Sequence, residues 1–531
     1  MKKFIFIFCY LFNFCLSAQQ WSWASNIGPY TDVDYGPFVR TDSSGTLFTA
    51  VMFDDGDYQY HSKITKRNSS GVLLWSKSMT GWNQFNYLVD MEIDKNNNIY
   101  VIGFFCNLLS FANSTVYSSH GWSYFVASFD KDGKERWLLP YPEIYNGGNS
   151  LTVDHNGDVI FAGFDVVNSS WRIGKLNSSG SQIWLKNYVT NARTTKIKCD
   201  SHNNIFVSGF TGNEAFKINN VVYPTQSLQY WNNCLVKFSP DGVIEKVEVI
   251  AGARISSFSF DKKDNIYAAG LYNDSIKVRQ QSIFADTTCR DYYHNVCEEH
   301  FIAKLNTRDS CSWIKRIKGN FYPLVMTVSR DGDLYVTGST GSKVVLDTIL
   351  IKPDTFMTFI FVVKFNNSGT AQWVQKSSGN YISACQSNDI AYSQNNSLYL
   401  GGVYQSNNFY LNTQCWFGND TLPYTGYSYN FYIVKLDDNQ ITNLINEKKT
   451  AANSLSKVFP NPGSDVFTVE LEQVDTKARI CVFDLLGNCI LEKILVKNGR
   501  EKIDLSSQSK GIYFVEINFE GKKEVKKIML E

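Results

Sequence analysis

The sequence predicts an all-β fold built from seven similar sheets. Three observations support this: a strand-and-turn phrase recurs seven times, a second strand phrase follows each copy, and helical periodicity is almost absent. Repetition at this period is typical of chains in which every copy forms one supersecondary unit. We therefore predict a seven-bladed β-propeller over residues 19–440, closed by the N-terminal strand, and a small Ig-like β-sandwich over residues 458–531.

The first phrase is a turn rich in Asp and Asn, followed by an alternating strand that commonly ends in Gly. Asp followed by Asn, Gly or Asp tolerates left-handed backbone and caps a tight turn. The glycines that end these strands lie far enough apart for four short strands with loops, which make one propeller blade. The copies begin at Asp42, Asp94, Asp154, Asp200, Asp261, Ser329 and Tyr392.

The second phrase is an apolar strand, a turn that usually contains Gly, and commonly a Trp two residues before Lys. An indole ring is large enough to fill the wedge between neighbouring blades, so we predict that position for these tryptophans. The copy from Leu235 to Lys246 lacks the Trp. The tryptophans concerned are Trp75, Trp137, Trp184, Trp313 and Trp373.

The two ends of the repeat region predict how the ring closes. The seventh copy of the second phrase, from Ile433 to Gln440, stops before its last strand. The segment from Trp21 to Ala24 looks like that strand displaced to the other end of the chain. Pairing of the two segments would remove two free sheet edges, and we expect it here.

The first residues predict export. Lysines at positions 2 and 3 precede an apolar run from Phe4 to Leu16 and small residues up to Ala18. This is the pattern of a signal peptide, residues 1–18, and we predict cleavage between Ala18 and Gln19. The run is short for a membrane span, so we expect no transmembrane segment in the mature chain. Residues 441–457 are polar, lack a strand pattern and read as a linker.

Charge and cysteine content limit the possible partners. The 51 basic residues nearly balance the 50 acidic ones, so a nucleic-acid partner is not expected.

Export permits disulfides, and the predicted pairs are Cys289 with Cys297 and Cys481 with Cys489. No CxxC or HxxxH spacing occurs, so we predict no metal site and no cofactor. Calcium stays open, because Asp154 to Asp158 offers oxygens at alternate positions.

Two resemblances follow from these patterns. The Gly-ended strand phrase resembles the SBBP repeats of bacterial β-propellers over about residues 21–440. The C-terminal motifs contain Pro460, Asn461, Pro462, Asp484, Gly487, Gly511, Tyr513 and Lys527. These motifs resemble the type A sorting domain (Por secretion tail) of type IX secretion in Bacteroidota. That resemblance implies a secreted or cell-surface protein, carried through the periplasm and recognised by the type IX translocon.

The long, aromatic connections predict a binding face. In a propeller the second and fourth connections open on one face, and here they are long and variable, whereas the first and third turns are short. Flat rings with polar edges stack on sugars and anchor peptides, so we predict recognition of a glycan or a protein. The candidate ligand-binding residues are Trp82, Trp122, Tyr230, Trp231, Tyr293, Tyr322, Tyr381 and Trp416.

Catalysis finds less support in the sequence. No Gly-x-Ser-x-Gly elbow, His-Glu-x-x-His helix or phosphate loop occurs, and we name no catalytic residue. We therefore expect a non-catalytic binding protein. A propeller glycoside hydrolase or polysaccharide lyase stays open, because such enzymes draw their catalytic groups from several blades.

Overall fold

The protein is described by a computed structural model, in which all regular elements of the described residues are strands and none is a helix. The chain divides into two compact units, Met1–Gln440 and Ile441–Glu531. The described residues are 21–30, 36–54, 60–79, 86–111, 114–141, 150–165, 167–224, 231–285, 299–319, 322–346, 349–352, 358–379, 383–406, 415–422, 429–438, 456–471, 477–483, 489–496, 499–519 and 522–531.

The first unit contains seven antiparallel sheets, and each is built around four strands. The chain enters through β1 (Trp21–Tyr30), which belongs to the last of them. Sheet 1 holds β2 (Phe38–Thr41), β3 (Leu47–Asp54), β4 (Tyr60–Arg67) and β5 (Leu73–Met79). Sheet 2 holds β6 (Asn86–Ile93), β7 (Ile99–Phe111), β8 (Ser114–Phe129) and β9 (Glu135–Tyr141). Sheet 3 holds β10 (Ser150–Val153), β11 (Val159–Asp165), β12 (Ser170–Leu176) and β13 (Gln182–Val189).

Sheets 4 and 5 carry small hairpins between their second and third strands. Sheet 4 holds β14 (Arg193–Cys199), β15 (Ile205–Thr211), β18 (Asn232–Phe238) and β19 (Ile244–Ala251), with the hairpin β16 (Phe216–Ile218) and β17 (Val221–Tyr223). Sheet 5 holds β20 (Ala253–Phe260), β21 (Ile266–Tyr272), β24 (Glu299–Leu305) and β25 (Cys311–Lys318), with the hairpin β22 (Ser275–Val278) and β23 (Gln281–Phe284).

Sheets 6 and 7 repeat this plan. Sheet 6 holds β26 (Tyr322–Val328), β27 (Leu334–Thr340), β30 (Phe359–Phe365) and β31 (Ala371–Lys376), and its hairpin is β28 (Val344–Leu346) and β29 (Ile349–Ile351). Sheet 7 holds β33 (Ser383–Ser393), β34 (Ser397–Ser406) and β37 (Tyr429–Asp437). Its hairpin is β35 (Cys415–Phe417) and β36 (Asp420–Leu422), which pairs with β32 (Ser378–Gly379).

Sheet 7 obtains its fourth strand from the start of the chain. Strand β1 pairs antiparallel with β37, with Ala24 opposite Val434 and Tyr30 opposite Tyr429. The first strand of each sheet contacts the first strands of its neighbours, and β33 contacts β2, so the series returns to its beginning. The predicted pairing of the N-terminal segment with the last copy is therefore present in the structure.

The core is divided among the spaces between successive sheets. The second strand of a sheet is covered on both faces by neighbouring sheets, and β27 is buried at every residue, whereas the outer strands β5 and β13 are largely exposed. One buried cluster joins sheets 6 and 7 through Tyr335, Val362 and Leu400. Another joins sheet 7 to sheet 1 through Ile433 and Val39.

The recurring aspartates cap the first turn of sheets 1 to 5, as the sequence predicts, and Ser329 takes this place in sheet 6. In sheet 2 the Asp94 carboxylate accepts hydrogen bonds from the backbone N–H groups of Asn96 and Asn98, both at 2.8 Å. Asp154 and Asp200 make the same pair of bonds in sheets 3 and 4. This arrangement satisfies the backbone of a tight turn without a bound ion.

The predicted position of the tryptophans between sheets is confirmed. Each indole N–H donates to an acceptor in the third turn or the following segment of the next sheet, so that neighbouring sheets are joined in one direction around the ring. In sheet 4, which lacks the Trp, Lys246 instead pairs with Asp309 of sheet 5. The bonds are Trp75 to Lys131, Trp137 to Ser178, Trp184 to Pro240, Trp313 to Asn367 and Trp373 to Asp438.

The hairpins join the same sheets in the opposite direction. Strand β28 of the sheet 6 hairpin pairs with β25 and extends sheet 5 to six strands. In the sheet 5 hairpin, the Arg279 guanidinium makes two bonds to the Glu248 carboxylate of sheet 4, at 2.8 and 2.9 Å. Planar guanidinium and carboxylate groups match in this bidentate geometry, which fixes the hairpin against its neighbour.

The second unit is a two-layer β-sandwich. One sheet orders β38 (Ser456–Phe459), β39 (Val466–Leu471) and β42 (Gly499–Asp504). The other orders β41 (Cys489–Val496), β40 (Lys477–Phe483), β43 (Gly511–Phe519) and β44 (Lys522–Leu530). Alternating side chains such as Phe467 and Val469 from one sheet and Ile480 and Val515 from the other form a single buried core.

Candidate functional site

A cavity of about 220 Å³ lies at the axis of the ring. It is lined by the first strands of every sheet except sheet 3, over the residues that immediately precede the short first turns. The cavity therefore lies near the face opposite to the long aromatic connections. The lining residues are Arg40, Thr41, Glu92, Ile93, Lys196, Lys198, Ser257, Phe258, Ser259, Met326, Thr327, Asp389, Ile390, Ala391 and Tyr392.

Arg40 is the centre of an ion-pair network on one wall of this cavity. Its guanidinium lies 3.2 Å from a carboxylate oxygen of Asp90, 3.1 Å from one of Glu92 and 2.6 Å from one of Asp389. These carboxylates come from sheets 2 and 7, on either side of the sheet 1 strand that carries Arg40. One side chain therefore joins three sheets at the axis.

Two lysines of sheet 4 complete the network from across the axis. The Lys196 ammonium lies 3.1 Å from Asp90, and the Lys198 ammonium lies 2.9 Å from Glu92. Asp90 also accepts a hydrogen bond of 2.5 Å from the Ser150 hydroxyl of sheet 3. Three cations thus face three carboxylates, and the network carries no net charge.

Burial and ion pairing shift the pKa values of these groups in opposite directions. Burial by itself would raise the pKa of Asp90, but Lys196 and Arg40 lower it to about 2. For Glu92 burial acts upward as well, and Lys198 and Arg40 bring its pKa below the ordinary value. Burial would lower the pKa of Arg40, yet the three carboxylates raise it. Asp90, Glu92 and Arg40 are therefore charged at neutral pH.

The opposite wall of the cavity is uncharged. It offers the hydroxyl groups of Ser257, Ser259 and Thr327 beside the apolar side chains of Phe258 and Met326. A general acid requires a carboxyl group whose pKa lies near the working pH, whereas Asp90 and Glu92 are shifted away from it. The geometry suits the binding of a small polar group through hydroxyls and balanced charges.

The predicted aromatic residues are not brought together at this cavity. Trp82, Tyr230, Tyr293 and Tyr381 lie outside the described residues, and of Tyr322 only the backbone, in β26, is described. Trp122, Trp231 and Trp416 belong to the different sheets 2, 4 and 7, and none of them lines the cavity. Their role in ligand binding remains a prediction.

Trp231 is the most open of these described rings. It is 39% exposed, and its ring centroid lies 5.4 Å from that of Phe210 in an edge-to-face arrangement. The Arg254 guanidinium of sheet 5 lies 4.7 Å from the Phe210 centroid and 6.0 Å from that of Trp231. These cation–π contacts orient both rings on the face of the long connections.

The sequence contains charge pairs that indicate the charged wall of the cavity. Asp90 and Glu92 are two residues apart, as are Lys196 and Lys198, and both pairs directly precede the capping aspartates. Alternate residues of a strand face the same side. Two such pairs of opposite charge at the same position of the repeat indicate an ion-pair network on the inner strands.

The aspartates considered for calcium already have partners. Asp154 accepts backbone N–H bonds from Asn156 and Asp158 and pairs with Lys175 at 2.9 Å. Asp200, His202 and Asp264 bring possible ligand atoms within 4.8 Å of one another. Both Asp264 oxygens accept bonds from Ser201, at 2.8 and 2.6 Å.

The predicted pair Cys481 and Cys489 lies on one hairpin of the second unit. Both are unbonded thiols in the structure. Cys481 stands opposite Glu492 and Cys489 stands opposite Phe483, so the two cysteines are diagonal neighbours across a bulge. Their side chains are within hydrogen-bonding reach of each other, and the bond between them stays a prediction. Cys289 and Cys297 lie outside the described residues.

The sorting motifs of the second unit meet at its terminal strand. The Asn461 side-chain carbonyl accepts a bond of 3.0 Å from the backbone N–H of Met529. Gly463 donates to the Met529 carbonyl and accepts from the Glu531 N–H, each at 2.9 Å. The turn with Pro460 and Pro462 is thereby fastened to the end of the chain.

Further sorting-motif residues stand on the same sheet. The buried Tyr513 donates its hydroxyl to the Ser509 carbonyl at 2.5 Å. Gly511 stands opposite Leu530, and Lys527 is paired through its backbone with Phe514. Asp484 and Gly487 lie outside the described residues.

Comparison with known families identifies this unit. Residues 457–531 match the family described as the secretion system C-terminal sorting domain. The C-terminal unit is a type IX sorting domain. It is the address by which the chain is exported to the cell surface or the medium, and the predicted resemblance is confirmed. The signal cleavage residues Ala18 and Gln19 lie outside the described residues.

Several solved structures are similar to the greater part of the chain. The polysaccharide lyase Uly1 is 9% identical, with a TM-score of 0.42, over 77% of this chain and 92% of that one. The Dos1 propeller is 12% identical, with a TM-score of 0.39, over 76% and 94%. A protein of unknown function from Bacteroides caccae is 13% identical, with a TM-score of 0.30, over 63% and 94%. No curated protein matches the chain.

The region ahead of the sorting domain is an all-β propeller, as the sequence predicts. The described residues include no helix long and apolar enough to cross a membrane. The TM-scores of the similar structures are below 0.5, so the activities of those proteins do not indicate an activity for this chain.

Proposed function

We propose that this exported propeller is a non-catalytic binding protein that captures the end of a glycan in its axial cavity. The proposal includes a leader cleaved after Ala18, passage through the periplasm, and membership of the repeat region in the SBBP family. Handover to the type IX translocon occurs through the sorting domain.

The observation that carries the proposal is the composition of the cavity walls. A volume of about 220 Å³ is smaller than the pockets that hold drug-sized ligands, and it suits a single sugar residue. Hydroxyl groups on one wall and balanced charges on the other supply donors and acceptors for a neutral, polyhydroxylated ring. A protein partner would need a broad exposed surface, which a small concave cavity does not provide.

The state of the carboxylates favours binding over catalysis. Three carboxylates, Asp90, Glu92 and Asp389, surround Arg40, and a glycoside hydrolase would require a pair of carboxyl groups that act on its substrate. Each of them, however, is engaged by Arg40, and the lowered pKa values of Asp90 and Glu92 oppose proton donation to a leaving group.

A binding screen with two matched variants tests the proposal. The purified exported chain is applied to a glycan array, and each hit is titrated by calorimetry while saccharide release is followed in parallel. Ser257→Leu narrows the cavity without touching the ion pairs, and we expect it to abolish binding. Trp231→Ala alters the opposite face and should leave binding unchanged.

Three outcomes would contradict this assignment. Loss of binding in Trp231→Ala alone would move the site to the aromatic face. Release of saccharide above a denatured control would establish an enzyme. Absence of any glycan ligand, together with capture of a defined protein by the propeller, would establish protein recognition instead.

A further inference from the structure

Two buried cysteines of sheet 7 lie next to each other although they are distant in the sequence. Cys385 belongs to the first strand, β33, and Cys415 to the hairpin strand β35. Both are unbonded thiols in the structure, each is only 1% exposed, and both are members of the buried cluster between sheets 6 and 7. Their side chains are within hydrogen-bonding reach of each other.

The backbone around the two cysteines holds them in this position. Cys385 stands opposite Tyr404 of β34, and Cys415 stands opposite both Leu422 and Gly379. Because β32 and β33 are close in the chain, pairing of Cys415 with Gly379 brings the hairpin onto the inner strand. Tyr404 and Tyr432 belong to the same buried cluster as both cysteines. Two neighbouring strands therefore present their sulfur atoms to one buried space.

We propose that Cys385 and Cys415 form a disulfide bond in the exported chain. Each thiol gives up one proton and one electron as the S–S bond forms, and a disulfide of the exporting compartment is reduced to two thiols in exchange. Structural disulfides persist in oxidising compartments outside the cytosol, and the sorting domain places the mature chain there. The inference rests on export and does not depend on the glycan proposal.

The reactivity of the buried thiols defines when the bond can form. Burial raises the pKa of Cys385 well above its ordinary value, and the adjacent Cys415 adds to this effect. The thiolate is the attacking species in disulfide exchange, so the fully packed thiols react slowly. The bond therefore forms before the hairpin packs against β33, and it is then shielded from reductants.

This bond would brace the sheet that joins the two ends of the ring. The hairpin holds β1 directly, because the Asp420 carboxylate accepts a bond of 2.7 Å from the Ala24 N–H. The ring centroids of Phe417 and Trp21 lie 5.1 Å apart in an edge-to-face contact. A bond from Cys415 to Cys385 would fasten this contact with β1 to the inner strand of the same sheet.

Peptide mapping of the exported full-length chain tests the proposal. The chain is purified from a type IX-competent host, treated with N-ethylmaleimide while unfolded and unreduced, digested, and analysed by mass spectrometry. We expect a linked peptide pair that contains Cys385 and Cys415 and separates after reduction. Maleimide on both cysteines, or linkage of either to a different cysteine, would overturn the proposal.

Thermal unfolding supplies a second readout with matched variants. Reduction should lower the unfolding midpoint of the wild-type chain by more than that of the Cys385→Ser/Cys415→Ser variant, in which only the other predicted pairs can respond to reductant. Cys234→Ser, in which a solitary buried thiol of sheet 4 is changed, should keep the full response to reductant. A wild-type midpoint that ignores reductant under unfolding conditions would contradict the bond, and the peptide map stands even if a variant fails to accumulate.

Discussion

Trp23 of the first strand donates its indole N–H to the carbonyl of Ser69, at 3.1 Å, across the junction between sheet 7 and sheet 1. It is the same bond that Trp75 and Trp137 make at the next two junctions. Two residues earlier, Trp21 donates to the Lys376 carbonyl of sheet 6 at 3.2 Å. One short strand therefore contacts the sheets on both sides of the closure.

Substitution of Trp23 should weaken the closure of the ring. Trp23→Ala removes the bond to Ser69 and the packing of the indole over Gly71, and we expect a loss of about 2 kcal/mol in the free energy of unfolding. Denaturant unfolding measures it. Trp231→Ala, which removes an exposed indole away from any closure contact, should cost less than half as much. Equal losses in the two variants would contradict the role given to Trp23.

The turn glycines face these tryptophans, and a pair of variants separates two effects of adding a methyl group. Gly180 has a φ of 86°, and a methyl group there would lie 2.8 Å from the Trp137 indole. Gly157 has a φ of 87° but faces open space. Gly157→Ala should cost about 1 kcal/mol through the backbone alone, and Gly180→Ala about 1 to 3 kcal/mol more through the clash.

A double-mutant cycle with Trp137→Ala checks this interpretation. Removal of the indole should abolish the additional cost of Gly180→Ala and leave only the backbone cost. Gly157→Ala should be unaffected by Trp137→Ala, because nothing lies within 4 Å of its added methyl group. An additional cost that persists without the indole would place the strain elsewhere.

These contacts explain why the propeller fold could be predicted from the sequence. Asp94 caps a turn within its own sheet, and Gly180 contacts Trp137 at a fixed position of the repeat. Because these contacts recur at the same positions, the residues that form them can be recognised in the sequence of each copy. The missing last strand pointed to Trp21–Ala24 for a similar reason, because an unpaired sheet edge needs a partner.

The charge pairs of sheets 2 and 4 indicate an ion-pair network, but the position of Arg40 and Asp389 in it could not be predicted in the same way. Arg40, Asp90 and Asp389 come from three sheets that are distant in the sequence, and only the closed ring brings them to one point. The contact between Cys385 and Cys415 likewise depends on the fold of a hairpin outside the repeat phrase. The aromatic residues predict a binding face at the long connections, whereas the cavity lies at the opposite ends of the inner strands.

Neutralisation of Asp90 should destabilise the ring and change its response to acid. Asp90→Asn leaves Lys196 without its carboxylate partner and removes one of the three carboxylates around Arg40, and we expect a loss of about 3 kcal/mol at neutral pH. The folded-state pKa of about 2 lies below the unfolded value of about 3.9, so this carboxylate stabilises the fold above pH 4. That contribution is lost as the pH falls through about 2.

Acid titration of unfolding measures the difference between the two chains. The wild type should lose about 2 kcal/mol more than Asp90→Asn between pH 4 and pH 2. Asp132→Asn, in the exposed pair with Lys131, should follow the wild-type profile throughout. Parallel curves for the wild type and Asp90→Asn would show that Asp90 is not held in its charged form by the network.

The final prediction concerns the contact between the Pro-Asn-Pro turn and the last strand of the sorting domain. Asn461→Ala leaves the Met529 N–H without its side-chain acceptor and should loosen the terminal strand by about 1 kcal/mol. If the translocon reads the ordered end of this domain, the secreted fraction should fall several-fold while the propeller retains its unfolding midpoint. Immunoblots of medium, surface and cell fractions measure that distribution. Asn518→Ala removes only a side-chain bond to Glu516 on β43 and should be exported normally. Normal export of Asn461→Ala would show that the sorting signal does not require the turn to be fastened to the chain end.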